Sequence, residues 1–483
     1  MTTGDTLALR LQTLEALEHR HDLFTYRFDG WSAWRVMRSP VRRLAMALPL
    51  AAPLRSNARR SMQAFAASAR LIWLLICPNR SELLVKTCRS GLRMPLGKQF
   101  RDVYFDGLLQ HGYSCLKLEE INTPEFELQA AAAFWPSDLD PVVFTFWGRV
   151  LGLLFPVKAL PFCKFVSNVL ANEAQIEIAP KWLQMRLSTV YWQVRIYSLL
   201  LARVQAKVVL VSDTGEYALR IASARRAARF IELQHGVFDN THPDAIPAWV
   251  AGSATELILP DILACRGQYW IEQLAKTRQG QGFTAAVGNE LIDHARQRRH
   301  LRPKDGNYHI VLTTQGLDSA RLSRWIVEMI AKAPATRIWR LSIKLHPVYD
   351  MNTRDFDLLK ADPRVSIIGG AEQPNVFDLL ADADLHLSIA SACHFDAVAL
   401  GLPSVVLPLA GHEEMLHAID EIHIFAADTP ARVWSIAPIT PASPEAMNRF
   451  AAPGFVDNLQ SLLASIDCPN HQTSHSQKHD SYP

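Results

Sequence analysis

The sequence has little that would indicate a secreted, membrane-spanning or nucleic-acid-binding protein. Its 483 residues include only seven cysteines, scattered without a Cys-x-x-Cys pair or a Cys/His metal-ligand spacing. This pattern argues against a disulfide framework and a zinc site and favours a reduced compartment. The apolar runs at 44–54 and 71–77 fall short of the ~20 residues that a membrane-spanning helix needs. Arg149 and the flanking Asp138 and Asp140 make the run at 143–155 a weak candidate for such a helix. A net charge of only +3 does not indicate the strongly basic surface that nucleic-acid-binding proteins have.

The chain also lacks the opening of a secretory signal. Its first residues contain no basic segment followed by an apolar core. We therefore expect a cytoplasmic protein. A length of 483 residues allows two or three domains with sizeable cores.

Two stretches with strand character stop abruptly at polar residues, and they point to one pocket. The first is Leu341–Pro347, and the second begins at Asp384, where a strand to Ile389 precedes a helix that starts near Ala390. Open parallel sheets bind ligands at such carboxyl ends. Ser388 and Ser391 then lie where the helix begins, where hydroxyl and free N–H groups suit a phosphate. The alternative is that Ser391 only caps the helix.

These stretches carry a resemblance to a known class of enzymes. Lys344-Leu-His346-Pro347, then Ser388-x-x-Ser391, Phe395-Asp396 and Gly401-x-Pro403 resemble the donor half of GT-B glycosyltransferases that use cytidine-activated sugars. Bacterial sialyltransferases, Kdo transferases of capsule and lipopolysaccharide, and CDP-glycerol polymerases share this pattern. The resemblance covers roughly residues 205 to 410.

The resemblance implies an α/β fold of two Rossmann-like doubly wound domains facing a cleft. It implies that the His-Pro element lies against the nucleotide and that the Ser-rich turn holds its phosphate. Gln315 joins this set because 313–315 also follow a predicted strand that faces the cleft. The expected donor-binding residues are Lys344, His346, Pro347, Ser388, Ser391, Asp396 and Gln315.

Two residues in the first half are candidates for the catalytic base. Asp213 ends the predicted strand 206–213, and His235 ends the predicted strand that begins at Phe230, so both face the crevice. Either group can take a proton from an acceptor hydroxyl within hydrogen-bond reach. Gln-His-Gly matches the His-Gly element of the CDP-glycerol polymerases. Asp213 is the nearest match to the carboxylate of the sialyltransferases, although those enzymes have paired acids before the glycine.

The base therefore stays open between Asp213 and His235, and the alternative for His235 is a structural role at a turn. Around it, Gln234, Gly236 and His242 are the expected acceptor-binding residues, with the second His-Pro at 242–243 in a loop that closes over the acceptor.

The N-terminal segment is strongly basic. From Arg35 to Arg80 it carries nine arginines and no Asp or Glu, interleaved with apolar runs. Such a segment suits an anionic membrane surface, which would make the protein peripheral on the inner face of the cytoplasmic membrane. The alternative is a solvated basic helical layer packed on the next domain.

The order of predicted elements gives the domain organisation. We expect an N-terminal basic helical extension (1–80), an acceptor domain (81–300), a donor domain (305–435), a terminal helix that crosses back (436–467) and a disordered tail (468–483). Within the acceptor domain the pattern predicts a helix over 98–110, strands at 256–260 and 283–289, and a linker over 296–306.

The resulting functional prediction is a metal-independent glycosyltransferase. Its donor would be CMP-Kdo or a similar CMP-sugar as co-substrate, with no other cofactor, and its acceptor a surface polysaccharide or glycolipid. No acidic DxD motif stands at a strand end. The Glu-x7-Glu spacing of retaining UDP- and GDP-sugar enzymes is also missing, since Ser388 stands near its first position. The alternatives are a CDP-polyol phosphotransferase, a UDP-N-acetylglucosamine 2-epimerase and a non-catalytic assembly factor.

Overall fold

The architecture is α/β, with two parallel sheets in sequence. The computed structural model describes residues 3–45, 58–77, 80–87, 93–96, 98–119, 132–234, 236–301, 306–346, 350, 353–370, 372–419, 421, 423–436 and 441–467. The predicted candidates His235 and Pro347 and the tail 468–483 lie outside these residues.

The first part of the chain contains ten helices among its described residues. They are α1 (Thr3–Arg20), α2 (Ala33–Ala45), α3 (Ala58–Ile76), α4 (Asp106–Leu109), α5 (Val142–Leu154), α6 (Leu160–Ala174), α7 (Pro180–Val204), α8 (Tyr217–Arg225), α9 (Gln268–Gln273) and α10 (Glu290–His300). The strands are β1 (Arg27–Phe28), β2 (Trp31–Ser32), β3 (Leu83–Thr87), β4 (Arg93–Leu96), β5 (Gln99–Asp102), β6 (Cys115–Glu119), β7 (Val208–Val211), β8 (Arg229–Leu233), β9 (Ile262–Cys265) and β10 (Thr284–Ala286).

The second part continues the alternation of strand and helix. Its strands are β11 (Tyr308–Thr313), β12 (Trp339–Lys344), β13 (Val365–Ile368), β14 (Leu385–Ser388), β15 (Ser404–Val406) and β16 (Ile424–Ala426). Its helices are α11 (Ser319–Ala331), α12 (Val376–Ala381), α13 (Cys393–Ala399), α14 (Pro430–Ile436), α15 (Pro444–Phe450) and α16 (Phe455–Asp467), with 3-10 turns at Thr353–Leu359 and His412–Ala418.

Each part forms one six-stranded sheet in which every neighbouring pair is parallel. The first sheet has the order β10-β9-β8-β7-β3-β6 and the second the order β13-β12-β11-β14-β15-β16. Counted along the chain, the second is the 3-2-1-4-5-6 order of doubly wound nucleotide-binding domains. The predicted fold class, two Rossmann-like domains of GT-B type, is confirmed.

The local predictions succeed around the second landmark and fail in three places. Strand β14, helix α13 and strand β15 form the predicted strand–helix–strand unit, and Gly401 ends the helix with φ +77°. The predicted helix over 98–110 is instead strand β5 followed by the one-turn helix α4. The predicted strand at 256–260 is a set of turns, and residues 296–300 of the predicted linker belong to α10.

Three of the four arginines of α2 are buried, which corrects the view of this segment as a basic surface. Arg38 is fully buried and pairs with Glu18 of α1 at 2.7 Å, and Arg35 pairs with Asp244 at 3.0 Å. Arg42 donates to the carbonyl of Thr241 at 3.2 Å. Buried guanidinium groups need such partners. Helix α2 is therefore packed on the next domain, but its arginines are not solvated as that interpretation expected.

The two sheets are held together by a shared apolar core and by the end of the chain. Phe395 of α13 packs against Trp270 of α9, with ring centroids 4.8 Å apart, and Phe450 of α15 packs against Tyr269 at 4.6 Å. Helix α16 contacts α4 and α10 of the first part. Asp293 of α10 accepts hydrogen bonds from the first N–H groups of α16.

Candidate functional site

Both sheets have a point where the strand order reverses, and open α/β sheets bind ligands in the crevice at such points. In the second sheet this point lies between β11 and β14. There the buried Ser388 donates its hydroxyl to the carbonyl of Thr313 at 2.8 Å. Ser388 therefore fixes the two strand ends, and its predicted contact with the donor stays a prediction.

One residue that the sequence analysis missed, Asp350, organises this crevice. Its carboxylate accepts hydrogen bonds from the Thr314 hydroxyl, from the Gly316 N–H at 2.7 Å and from Ser319 at 3.0 Å. Thr314 also accepts from the N–H of His346 at 3.1 Å. The loops that follow β11 and β12 are thereby locked side by side. The signal available in the sequence was a carboxylate shortly after His-Pro.

This arrangement brings together two of the predicted donor-binding residues. Gln315 and His346 stand at the ends of the neighbouring strands β11 and β12. The side-chain oxygen of Gln315 is buried and makes no hydrogen bond to any other described residue. Burial lowers the pKa of His346 despite the opposing effect of Asp350. The imidazole is therefore neutral at pH 7 and offers hydrogen bonds rather than charge.

Lys344 is engaged elsewhere. Its ammonium group donates to the carbonyls of Gly369 at 2.7 Å and Glu372 at 2.5 Å. Burial lowers its pKa to about 8, against the effects of Glu372 and Asp378. In this structure Lys344 stabilises the loop after β13. Its predicted contact with the leaving phosphate stays a prediction.

The Phe-Asp element of the resemblance lies between the two domains. Asp396 forms a buried ion pair with Arg266, which follows β9 of the first sheet, at 2.7 Å. Ser391 accepts a hydrogen bond from the N–H of Cys393 at 3.2 Å, at the start of the seven-residue helix α13. Asp396 thus connects the domains here. The donor-binding roles of Asp396 and Ser391 are untested by the geometry.

The first domain presents its own strand ends toward the second. Asp213 follows β7 and is half-buried. Gln234 follows β8, donates to the carbonyl of Gly236 at 2.7 Å and accepts from the Arg266 N–H at 3.0 Å. A side chain at Gly236 would meet open space. Gln234 thus connects the loops that follow β8 and β9, and Gly236 lies beside open space.

The loop with the second His-Pro is fixed rather than free. His242 accepts a hydrogen bond from the N–H of Asp244 at 3.1 Å, and its ring packs edge-on against Phe238. Arg38 of α2 holds the carbonyls of Pro243 and Ala245. The expected loop that closes over the acceptor is therefore anchored on α2.

Behind Asp213 lies a buried cluster that sequence reasoning missed. Burial would raise the pKa of Asp244, but Arg35, His242 and hydrogen bonds from Tyr217 and Arg35 lower it to about 2. Burial raises the pKa of the neighbouring Glu232 to about 8, helped by Asp244. Glu232 is therefore mostly protonated at pH 7 beside an ionised Asp244. Only the fold brings α2, β8 and this loop together.

Contacts across the domains show that the carboxyl ends of both sheets face each other. Besides the Arg266–Asp396 pair, His417 of the second domain lies 3.7 Å from Asp239, in the loop that follows β8. The structure therefore places the candidate donor and acceptor residues on opposite sides of one cleft. Among the described residues, no group of three or more His, Cys, Asp or Glu is arranged to hold a metal ion.

Comparisons with known proteins give likenesses in structure only. No protein-family model matches the chain, and no curated protein matches it by sequence. The UDP-GlcNAc 2-epimerase of Methanocaldococcus jannaschii is similar over 80% of this chain and 99% of its own, with 13% identity and a TM-score of 0.48. MurG of Acinetobacter baumannii is similar over 80% of this chain and 100% of its own, with 12% identity and a TM-score of 0.46.

The wall teichoic acid polymerase TagF is a third similar structure. The likeness covers 85% of this chain and 97% of that one, with 10% identity and a TM-score of 0.45. Because identities and TM-scores are low, no argument about activity rests on any of the three.

Proposed function

We propose that this protein is a glycosyltransferase that moves a sugar from a nucleotide-activated donor on the second domain to an acceptor on the first. One observation supports the proposal: the ion pair Arg266–Asp396 and the approach of His417 to Asp239 join the strand-end faces of the two sheets. Gln315 and His346 follow strands of the second sheet, and Asp213 follows β7 of the first. A transferase needs the donor and the acceptor to meet in this way, because the reacting atoms must be held close and oriented.

The reaction that fits the site needs a base and a place for the leaving nucleotide. The acceptor hydroxyl gives its proton to Asp213 or His235, and its oxygen attacks the anomeric carbon of the sugar. The bond between that carbon and the phosphate oxygen breaks, and the nucleotide leaves with the electron pair. The proposed stabilisers of its negative charge are Lys344, His346 and the backbone N–H groups at Ser391. No metal ion enters this scheme.

The donor is proposed to be a CMP-sugar such as CMP-Kdo. The motifs around His346 and Ser391 support it, and so does the buried side-chain oxygen of Gln315, which no other described residue hydrogen-bonds. That oxygen is an acceptor, and cytosine presents an amino donor where uracil presents a second acceptor. The proposed acceptor is a surface polysaccharide or a glycolipid.

A thermal-shift screen with CMP, CDP, UDP and GDP tests the donor class. We expect CMP or CDP to raise the melting temperature most, because a ligand that binds only the folded state stabilises it by mass action. A preference for UDP would overturn the cytidine assignment. Binding of CMP without product from any CMP-sugar or CDP-polyol would favour the non-catalytic alternative.

Substitutions on the two domains test whether the second binds the donor and the first supplies the base. His346→Ala removes a donor contact and should mainly raise the donor KM. Asp213→Ala should leave the donor KM nearly unchanged and, where Asp213 is the base, reduce kcat by about 10²- to 10⁴-fold. A full kcat in Asp213→Ala together with a loss in His235→Ala would assign the base to His235. Full activity in both would show that the acceptor site lies elsewhere.

We also propose that the protein binds a membrane surface through helix α3. Its outer face carries a stripe of exposed apolar side chains at helical spacing: Met62, Phe65, Ile72, Trp73 and Ile76. Phe65 is 76% exposed and Trp73 56%. Such a stripe with aromatic residues suits the interface of a bilayer. In the described part of the chain no helix combines the length and apolarity needed to cross one.

A further inference from the structure

A cavity of about 390 Å³ lies at the reversal point of the first sheet, between β3 and β7. Lys86 of β3 and the loop with Glu216 that follows β7 border it on the side of the sheet, and helices α5 and α7 form its walls. Open α/β sheets bind their ligands at such reversal points. The volume is within the range of about 300–1,000 Å³ that ligand pockets have. The proposed catalytic scheme does not use this cavity.

The two helical walls of the cavity are fixed against each other. Gly148 allows α5 to approach α7 closely, because a Cβ there would lie 2.7 Å from Cγ of Gln193 and 2.9 Å from the carbonyl oxygen of Thr189. Gln193 of α7 also donates through Nε2 to the hydroxyl of Thr145 of α5 at 3.2 Å. The protein itself therefore holds the walls in place, so a ligand does not have to order them.

The lining offers both donors and acceptors of hydrogen bonds. The hydroxyl of Thr145 accepts from Gln193 and donates to no other described residue, and the side-chain oxygen of Gln193 accepts from none. The indole N–H of Trp182 also donates to no other described residue. Lys86 and Glu216 form an ion pair with each other, and each has further hydrogen-bonding capacity. Groups of both kinds therefore line one space.

A sugar unit is the class of ligand that matches this lining. Each hydroxyl of a sugar both donates and accepts, so neighbouring hydroxyls can satisfy a mixed set of side chains. An apolar ligand would leave these side chains without hydrogen-bond partners, which costs free energy. The rings of Trp182, Tyr197 and Tyr217 also line the cavity, and the apolar C–H faces of a sugar ring can pack against aromatic rings.

We propose that this cavity binds a sugar unit of the acceptor, with Thr145, Trp182 and Gln193 as its hydrogen-bonding contacts. The inference rests on the proposed transferase function and adds residues of α5 and α7 to its acceptor site. Asp213 lies two residues before Gly215, which lines the cavity. A sugar in the cavity therefore presents the hydroxyls on its sheet side to the strand end that carries the candidate base.

Saturation-transfer NMR of the full chain with a panel of methyl glycosides tests the site. The panel contains the methyl glycosides of glucose, galactose, mannose, N-acetylglucosamine and N-acetylgalactosamine, and titration gives the affinity of each. We expect at least one of them to bind. Thr145→Val removes the hydroxyl from one wall, and Trp182→Phe removes the indole N–H from the other. Each variant should weaken this binding about three- to tenfold, the usual scale for one neutral hydrogen bond.

The matched control is Trp192→Phe on the same helix. The indole N–H of Trp192 donates to the carbonyl of Phe155 at 3.1 Å, and Trp192 does not line the cavity. This variant removes the same group outside the site and should bind the glycosides like the wild type. Thr145 and Trp182 are half-buried and their replacements are close in shape, so both cavity variants should fold. Where either does not, Gln193→Leu takes its place and should weaken binding to the same extent.

A glycoside can also enter the proposed donor site, so the titration is repeated with saturating CMP and in His346→Ala. Binding that persists in both and weakens in the cavity variants supports the inference. Binding that CMP or His346→Ala removes, equal affinities in wild type and cavity variants, or no bound glycoside at all overturns it, even where the protein transfers a sugar. Cavity-dependent binding in a protein that binds no nucleotide would keep the sugar site and reject the transferase.

Discussion

At the scale of single residues, the first domain contains several ionisable side chains that are buried in its interior. Arg35 and Asp244 come from distant parts of the chain and meet at 3.0 Å under Tyr217. Their neighbour Glu232 forms no ion pair with any other described residue, and burial raises the pKa of its carboxyl group to about 8. A buried carboxyl group with a raised pKa beside a candidate base is a feature common in active sites and also in structural networks.

Glu232 gives a pH-dependent prediction. Its pKa is about 8 in the folded protein and near 4.5 when unfolded, so the folded state holds a proton that the unfolded state releases. Its stabilising contribution is complete below pH 4.5 and is lost as the pH rises to 8, by about 1.4 kcal/mol per pH unit. Glu232→Gln should therefore stabilise the protein at pH 8 and change little at pH 4.5.

Urea unfolding at the two pH values measures this difference. The matched control is Glu328→Gln, an exposed glutamate of α11, which should leave the stability unchanged at both. A Glu232→Gln variant that is no more stable than the wild type at pH 8 would show that Glu232 is ionised in the folded protein.

At the scale of elements, α2 and α3 share a basic, apolar composition but have opposite roles. Helix α2 turns its arginines inward to Glu18, Asp244 and the carbonyls of 241–245. Helix α3 packs Ala64, Leu71 and Leu74 against its neighbours and exposes the stripe from Met62 to Ile76. The first is part of the domain core, and the second is a surface.

Vesicle flotation tests the exposed stripe. The wild type should float with anionic vesicles and less so at high salt, because screening acts within about 10 Å at 0.1 M. Phe65→Glu combined with Trp73→Glu should reduce binding more than tenfold, since each aromatic side chain contributes about 1.5–3 kcal/mol on full burial. Both side chains are exposed, so folding should not suffer.

The control for this experiment is Leu358→Glu, which changes an apolar side chain of the second domain that is 68% exposed. It should float like the wild type. Undiminished flotation of the α3 double variant would reject the membrane role of this helix, whatever the salt dependence.

At the scale of the whole molecule, the buried ion pair between Arg266 and Asp396 joins the two domains. Arg296 of α10 adds hydrogen bonds to carbonyls of Ala399, Met447 and Ala451 on the other side of the junction. Together with the aromatic packing around Phe395, these contacts fix how the two strand-end faces meet. The relative position of the two candidate half-sites therefore depends on this junction.

Asp396→Ala should destabilise the protein by about 3–5 kcal/mol, because it leaves Arg266 buried without its counter-charge. Replacing both, as Arg266→Met with Asp396→Leu, should recover most of the loss. The exposed pair of Lys360 and Asp357 is the control, and Asp357→Ala should cost at most about 1 kcal/mol. Unfolding in urea measures all three.

CMP affinity in the double variant separates the two roles of Asp396. A residue that only connects the domains can be replaced with its partner while CMP binding stays near the wild-type value. A large loss of CMP affinity in a stable double variant would show that Asp396 also contacts the donor, as the resemblance implies.

The sequence alone determined the alternation of strands and helices and therefore the fold class. It located the unit of β14, α13 and β15, because a short apolar strand, a helix and Gly401 in the left-handed region are specified by local residues. It also identified Asp213, Gln315 and His346 as residues at strand ends, since that position follows from the strand boundaries.

Local reasoning failed where a distant partner decided the structure. The segment 98–110 has helical composition, but β5 pairs with β4, and Asp102 then ends the strand by accepting from the N–H groups of Tyr104 and Phe105. The apolar run at 256–260 is buried as turns beneath the N-terminal helices. Apolar residues predict that a segment is buried, but they do not determine whether its backbone forms a strand or a series of turns.

Only the tertiary structure decided the order of the strands, and with it the two reversal points. Pairing between β3 and β7, or between β11 and β14, joins segments far apart in sequence, and no local pattern encodes it. The same is true of the Asp350 carboxylate that locks the loops after β11 and β12 together, and of the Arg266–Asp396 pair. The physical reason is that burial and charge pairing depend on which surfaces meet, whereas strand and helix patterns depend on neighbours along the chain.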